Sequence, residues 1–322
     1  MNDSLKPAAL VEIEAARQRI SGSALRTPLV RLNVDDAPAE IYLKLENLQP
    51  IGSFKIRGAT NAIVQAGPAA LRDGVYTASA GNMAQGVGWA ARKLGIPFSV
   101  VVPDHAPDTK LAAIERLGGN IVKLTFEEWW QVLVHHEFAP LSGFFVHPVS
   151  DPAVIAGNAT IGLEILEDLP DLDAVVVPFG GGGLSSGIAS AVRALRPDIP
   201  VYAAEVATAA PLATAFEAGE PTTIEYQASF VDGIGSSSVL EEMWPLVSDL
   251  LAGSFVTQLD AVKEAVRLLA ERNRVIAEGA GATPVAVALD GAAGTGKIVC
   301  VVSGGNIDLT TLCQILGWAP EV

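Results

Sequence analysis

The sequence is short of three things: cysteine, positive charge and long apolar runs. Only two cysteines occur in 322 residues, Cys300 and Cys313, with no paired spacing. That argues against a disulfide framework or a structural zinc site and fits a reducing cytoplasm. Lysine and arginine number 21 against 36 aspartates and glutamates, a net charge of −15. A field of that sign repels nucleic acid and anionic membranes, so the expected partners are small molecules. No run of roughly 18 apolar residues is present. Asp3, Lys6, Glu12 and Glu14 break up any signal-peptide core, so nothing targets the chain away from the cytoplasm. Low-complexity tracts, flexible linkers and repeats of about 20 to 50 residues are missing too. One compact body of one or two packed domains is left.

What is there reads as α/β. The composition is 50% hydrophobic and 18% charged, enough for a large core. Leu10, Ile13, Arg17 and Ile20 sit at helical spacing and predict an opening helix, with Arg17 at the edge of its apolar stripe. Short apolar runs follow: "VYTASA" from 75, "FSVVVP" from 98, "NIVKL" from 120, "FFVHP" from 144, "AVVVPFG" from 174, "PVYAAEV" from 200 and "KIVCVVSGGN" from 297. These predict buried strands. Amphipathic stretches between them, among them "NMAQGVGWAARKLG", "DTKLAAIERLGG" and "LDAVKEAVRLLAERNRVI", have the length of crossover helices, which implies parallel sheet.

Two glycine-rich segments invite a phosphate reading. "FGGGGLSSG", residues 179 to 187, follows a strand and precedes a helix beginning near Leu184. Backbone N–H groups there can approach an anion at a helix N-terminus, although the glycines would equally serve a tight turn. Its spacing does not match the dinucleotide fingerprint, which disfavours NAD. "GAAGTGKI", Gly291 to Ile298, fits a P-loop in letters only, because Ile298 stands where a hydroxyl would bind magnesium and a strand follows instead of a helix. It predicts a turn. Lys55 lies in "IGSFKIRG", where desolvation would lower its pKa and make it a nucleophile; a surface lysine at a helix start is the bland alternative. A buried lysine together with a phosphate cradle makes the pair of anchors that pyridoxal 5'-phosphate (PLP) requires.

These motifs, in order, resemble the fold type II (β-family) PLP enzymes, specifically the branch of threonine/serine dehydratases and serine racemases. "ENLQPIGSFKIRGA" is similar to the cofactor-lysine motif, "SAGNMAQGV" to the substrate-carboxylate loop and "HPVSDPAVIAGNATIGLEI" to the return to the large domain. "FGGGGLSSGIA" is similar to the phosphate loop and "SGGNID" to the pyridine end, with "VDGIG" and "AEGAGA" as further matches. The resemblance implies two open, twisted, mostly parallel sheets flanked by helices. Residues 1–74 and 149–322 would form the large PLP domain and 75–148 a small mobile one, as a homodimer. Lys55 would hold PLP and act as the base at Cα, Phe54 would pack on the ring and Asn82 would bond its phenolic oxygen. Gly180, Gly181, Gly182, Gly183 and Leu184 would supply amides to the phosphate, and Ser303 would face the pyridine nitrogen. Ser79, Ala80, Gly81, Asn82 and Met83 would bind the substrate carboxylate.

The implied activity is loss of ammonia from a β-hydroxy-α-amino acid, giving a 2-oxo acid. Departures from the pattern sharpen it. Ala80 stands where racemizing relatives carry a proton-delivering serine, which disfavours the alternative of a racemase; a β-replacement enzyme and a non-catalytic binder are the remaining alternatives. Met83 replaces a common histidine. Glu205, Ala209 and Pro211 occupy the positions of a cation site in relatives, and proline offers no carboxylate, so no metal is expected. Phe126, Trp129, Trp130 and Phe230 raise the prospect of a bulky substrate such as 3-phenylserine. Trp129 and Trp130, being adjacent, cannot both face one side of a helix. His105, His135, His136 and His147 show no zinc-ligand spacing. The chain ends soon after "SGGNID", at Val322, so a short form without a C-terminal regulatory domain is expected.

Overall fold

The computed structural model describes residues 5–318. Asp3 and the outer ends of the predicted large domain, residues 1–4 and 319–322, lie outside the described residues. Ten strands form among the described residues: β1 (Leu29–Arg31), β2 (Glu40–Leu45), β3 (Val75–Ala78), β4 (Phe98–Pro103), β5 (Asn120–Leu124), β6 (Phe144–Phe145), β7 (Ala174–Pro178), β8 (Val201–Val206), β9 (Gly253–Thr257) and β10 (Lys297–Val302). Six build one sheet in the order β1-β2-β10-β7-β8-β9, and four build another in the order β5-β4-β3-β6. Every pairing in the two sheets is parallel except β1 with β2.

Alternation along the central strands explains why the large sheet is covered on both faces. Val175, Val177, Val299 and Val301 point into a core shared with the helices Pro152–Asp168 and Gly183–Leu195. Their neighbours Ala174, Val176, Ile298, Cys300 and Val302 point into the opposite core, shared with the helices Leu259–Leu268 and Gly279–Leu289. Each predicted strand run forms a strand. One expectation needs correction: the two edge strands of the small sheet are not buried, since Asn120 and Lys123 of β5 face solvent and Phe144 and Phe145 of β6 are half-buried. The apolar runs also give no sign of β1, β2 and β9. β2 is interrupted by Lys44 and β1 has only three residues. The stretch read as one long helix from Leu259 ends at Leu268 in a π-turn, and Arg274 then turns left-handed at φ 59°.

The lysine motif opens the helix Lys55–Ala70, which is kinked at Gly67. Ala59, Ala62 and Ile63 on that helix pack into the core of the small sheet with Val75, Val87 and Val100. Its first turn is fastened to the large sheet by charge. Arg57, 1% exposed, donates from Nε and Nη2 to Glu46 at 2.8 Å each, and from Nη1 and Nη2 to Glu164 at 2.7 and 2.9 Å. Lys44 of β2, fully buried, adds a second cation on Glu164 at 2.7 Å. Burial pushes the Glu46 carboxyl up, but Arg57 beside it prevails and holds it below its ordinary range. Two cations therefore balance two carboxylates. Arg57→Met leaves those carboxylates with only Lys44 between them. A loss of about 3–5 kcal/mol is expected, read from urea unfolding, and an unchanged midpoint would show that the pairs contribute nothing.

Candidate active site

A cavity of about 370 Å³ opens where the C-terminal ends of β3, β7 and β10 converge, the place where parallel sheets bind ligands. β3 delivers Ser79, Ala80 and Gly81, β7 delivers Gly180 and its neighbours, and β10 delivers Ser303. Lys55 enters from the first turn of its helix. Its Nζ donates to the Pro148 carbonyl at 2.8 Å and lies 5.2 Å from the centre of the Phe54 ring. Burial pulls the amine's pKa down to about 8, against the opposing pull of the negative charge on Glu278.

On the same cavity, the helix Gly183–Leu195 begins without a capping side chain; its N-cap, Gly182, is left-handed at φ 94°. Gly180, Gly181, Gly182, Gly183 and Leu184 all line the cavity, so the uncapped amides of the helix start lie at its wall. The loop is packed too tightly for side chains. A Cβ on Gly183 would stand 2.6 Å from the Val149 carbonyl, and one on Gly181 2.6 Å from the Val149 side chain. A desolvated amine and an uncapped helix start thus share the walls of one cavity.

The family model described as "Pyridoxal-phosphate dependent enzyme" matches residues 20–304. The chain is a pyridoxal-phosphate dependent enzyme. It is 38% identical over 320 residues to the L-threonine dehydratase catabolic TdcB of Escherichia coli, covering 97% of both chains. With the L-threonine ammonia-lyase of Thermotoga maritima it shares 37% over 312 residues, 95% of this chain and 78% of that one. The structure of maize serine racemase superposes with a TM-score of 0.89 at 33% identity, covering 96% of this chain and 97% of that one.

The residues of this PLP-dependent enzyme fit the group. The uncapped helix start suits its phosphate, the desolvated amine suits its aldehyde, and Ser303, 3% exposed, puts a hydroxyl on the same wall. Every residue predicted for the site lines the cavity: Phe54, Lys55, Ser79, Ala80, Gly81, Asn82, Met83, Gly180 to Leu184 and Ser303. Trp129 lines it as well, with its indole N–H buried and unpartnered, whereas Trp130 does not. Phe230 lies in a neighbouring cavity of about 610 Å³.

Sequence reasoning did not single out four polar residues of the cavity. Glu278 and Asn306 stand around Asn82, and Lys110 pairs with Asp232 across the cleft. Burial pushes the Glu278 carboxyl up to about 7, and the negative charge of Asp232 adds to the shift. The quoted motifs "AEGAGA", "VDGIG" and "SGGNID" contain three of the four, so the signal was present without its meaning.

Two possible metal positions are already committed to the protein's own groups. Glu205 accepts from the amides of Leu212 and Ala213 at 2.8 Å each and from the Ser254 hydroxyl at 2.6 Å, so it caps the helix Pro211–Ala218. His136, His147 and Glu242 bring ligand atoms within 4.8 Å of one another. The Nδ1 of His147, however, accepts from the Ser150 amide at 2.8 Å, which leaves the proton on its other nitrogen and no lone pair for an ion. Burial pulls that imidazole down to about 3, so it stays neutral.

The depressed pKa of Lys55 has a direct readout. Below pH 8 the amine is protonated and inert, and above it the amine is a nucleophile. Capture of pyridoxal by cofactor-free protein, trapped with borohydride and located on Lys55 by mass spectrometry, should rise to half its maximum near pH 8. A midpoint near 10.5, the ordinary lysine value, would show that the amine is not desolvated.

Proposed function

We propose that this enzyme is a dehydratase of β-hydroxy-α-amino acids such as threonine and serine, releasing a 2-oxo acid and ammonia. The observation that carries it is Lys55, a desolvated amine on the cavity wall whose pKa is pulled down to about 8. The names of the relatives at 37 and 38% identity support it.

Lys55, Phe54, Asn82, Gly180 to Leu184 and Ser303 would hold the cofactor. When bound, PLP supplies the electron sink that makes the substrate's Cα proton acidic. Lys55 is the base that takes this proton, since a neutral amine with a pKa of about 8 is matched to the task near physiological pH. The loop Ser79 to Met83 holds the substrate carboxylate, with Ser79 Oγ already engaged by the Gly81 amide at 3.3 Å. Ser303 offers the pyridine nitrogen a neutral hydroxyl. A neutral hydroxyl at Ser303 would form no ion pair with that nitrogen, unlike a carboxylate at the same position. Ala80 carries no proton for the far face of Cα, which favours elimination over racemization.

Residues 75–148 act as the small mobile domain closing on the cavity, the enzyme works as a cytoplasmic homodimer, and no metal is required. No helix among the described residues is long and apolar enough to cross a membrane. A second reading, a bulkier β-substituent such as phenyl, is favoured by one observation: Ala80, Met83, Pro103 and Trp129 give the cavity an apolar side.

The PLP-loaded protein offered serine, threonine, 3-hydroxyaspartate and 3-phenylserine should release 2-oxo acid and ammonia from at least one, and Lys55→Ala from none. Rapid Cα inversion with little keto acid would overturn the dehydratase in favour of a racemase. On the second reading, Trp129→Ala lowers kcat/KM for 3-phenylserine relative to threonine by about tenfold, the worth of one apolar contact surface. An unchanged ratio removes Trp129 from substrate selection.

A further inference from the structure

We infer that Asn306 is a positioning residue that fixes which end of the Asn82 amide faces the cofactor. The inference rests on the assignment of Asn82 to the cofactor's phenolic oxygen. An asparagine amide has a donor end and an acceptor end of nearly equal shape, and only its partners decide which way it points.

Here the partners form a chain with a fixed start. The Ile51 carbonyl can only accept, so the Nδ2 of Asn306 faces it at 2.8 Å. The second hydrogen of that nitrogen goes to Asn82 Oδ1 at 2.7 Å. Asn82 must therefore present its nitrogen on the other side, where one hydrogen reaches Glu278 Oε1 at 2.9 Å. Its remaining hydrogen is left over beside the cavity that both residues line. An amide turned the other way would set oxygen against the Glu278 carboxylate and nitrogen against nitrogen at Asn306.

Two glycines of the sequence motifs make room for this chain. A Cβ on Gly52, whose φ is +73°, would stand 2.6 Å from Asn306 Oδ1. One on Gly304 would stand 2.5 Å from Glu278 Oε1 and 3.3 Å from Asn82 Nδ2. The loop before Lys55, the start of the substrate loop's helix and the turn after β10 are thus joined through three side chains.

The isosteric variant N306D reverses the polarity of the chain's first link, placing a carboxylate oxygen against both the Ile51 carbonyl and Asn82 Oδ1. Its visible cofactor band, the pH dependence of that band and its kinetics are compared with those of wild type, N306A, N82A and the double variant N82A/N306D. Circular dichroism melting checks the fold of each. The expected result is a shifted band and a loss of about ten- to a hundredfold in kcat/KM for N306D, the equivalent of one misplaced hydrogen bond to a charged group. In the N82A background N306D should add less than about twofold, because its effect runs through Asn82. N306A, should N306D fold poorly, is expected to show the same band shift, and the double variant N82A/N306A the same non-additivity. Full additivity, or an N306D band like wild type beside an altered N82A band, overturns the role of Asn306 and leaves that of Asn82 standing. An N82A band like wild type overturns both.

Discussion

The Arg57 guanidinium is the point on which the site hangs. It stands two residues after Lys55, the buried amine of the cavity, and it holds Glu46, which follows β2, and Glu164, on the helix Pro152–Asp168. Such an arrangement costs desolvation that attraction roughly offsets, so its value lies in geometry more than in net stability. A fork of fixed N–H directions admits few orientations of the helix that carries it. The same helix presents its apolar residues to the core of the small sheet. Lys55 is therefore oriented by the large half through charge and by the small sheet through packing.

The cavity, lined from both sheets, brings two kinds of group together. Its glycine wall presents backbone amides, whose partial charge cannot titrate and whose positions are set by the packing of Val149. The same cavity is lined by groups that can exchange protons near neutral pH: Lys55, pulled down by burial, and Glu278, pushed up by it.

Much of this was legible in the sequence, for a physical reason. Nucleophilic chemistry demands a lysine, close backbone approach demands glycine, and neither Lys55 nor Gly180 to Gly183 can be replaced by residues of similar character, so their motifs stand out in a bare string. The polar chain around Asn82 did not stand out. Its bonds join residues 196, 224 and 255 positions apart, and each member is an ordinary polar residue until the fold brings it to its partner. β2 escaped notice for a related reason: the buried Lys44 that interrupts its apolar pattern is neutralised by Glu164, on a helix that begins over a hundred residues later. Trp129 and Trp130 show the converse, since helical periodicity alone separated them correctly, and only the surroundings could say which of the two meets the cavity.

The edges of the two sheets carry a further consequence. An open parallel sheet ends in unpaired N–H and C=O groups, which are templates for another chain. β1 has three residues and ends in Arg31, β6 has two, and β5 exposes Lys123. β9 is packed by the helix Pro211–Ala218. Short, charged or covered borders of this kind, on a molecule of net charge −15, resist strand-to-strand aggregation at the high concentrations at which metabolic enzymes work.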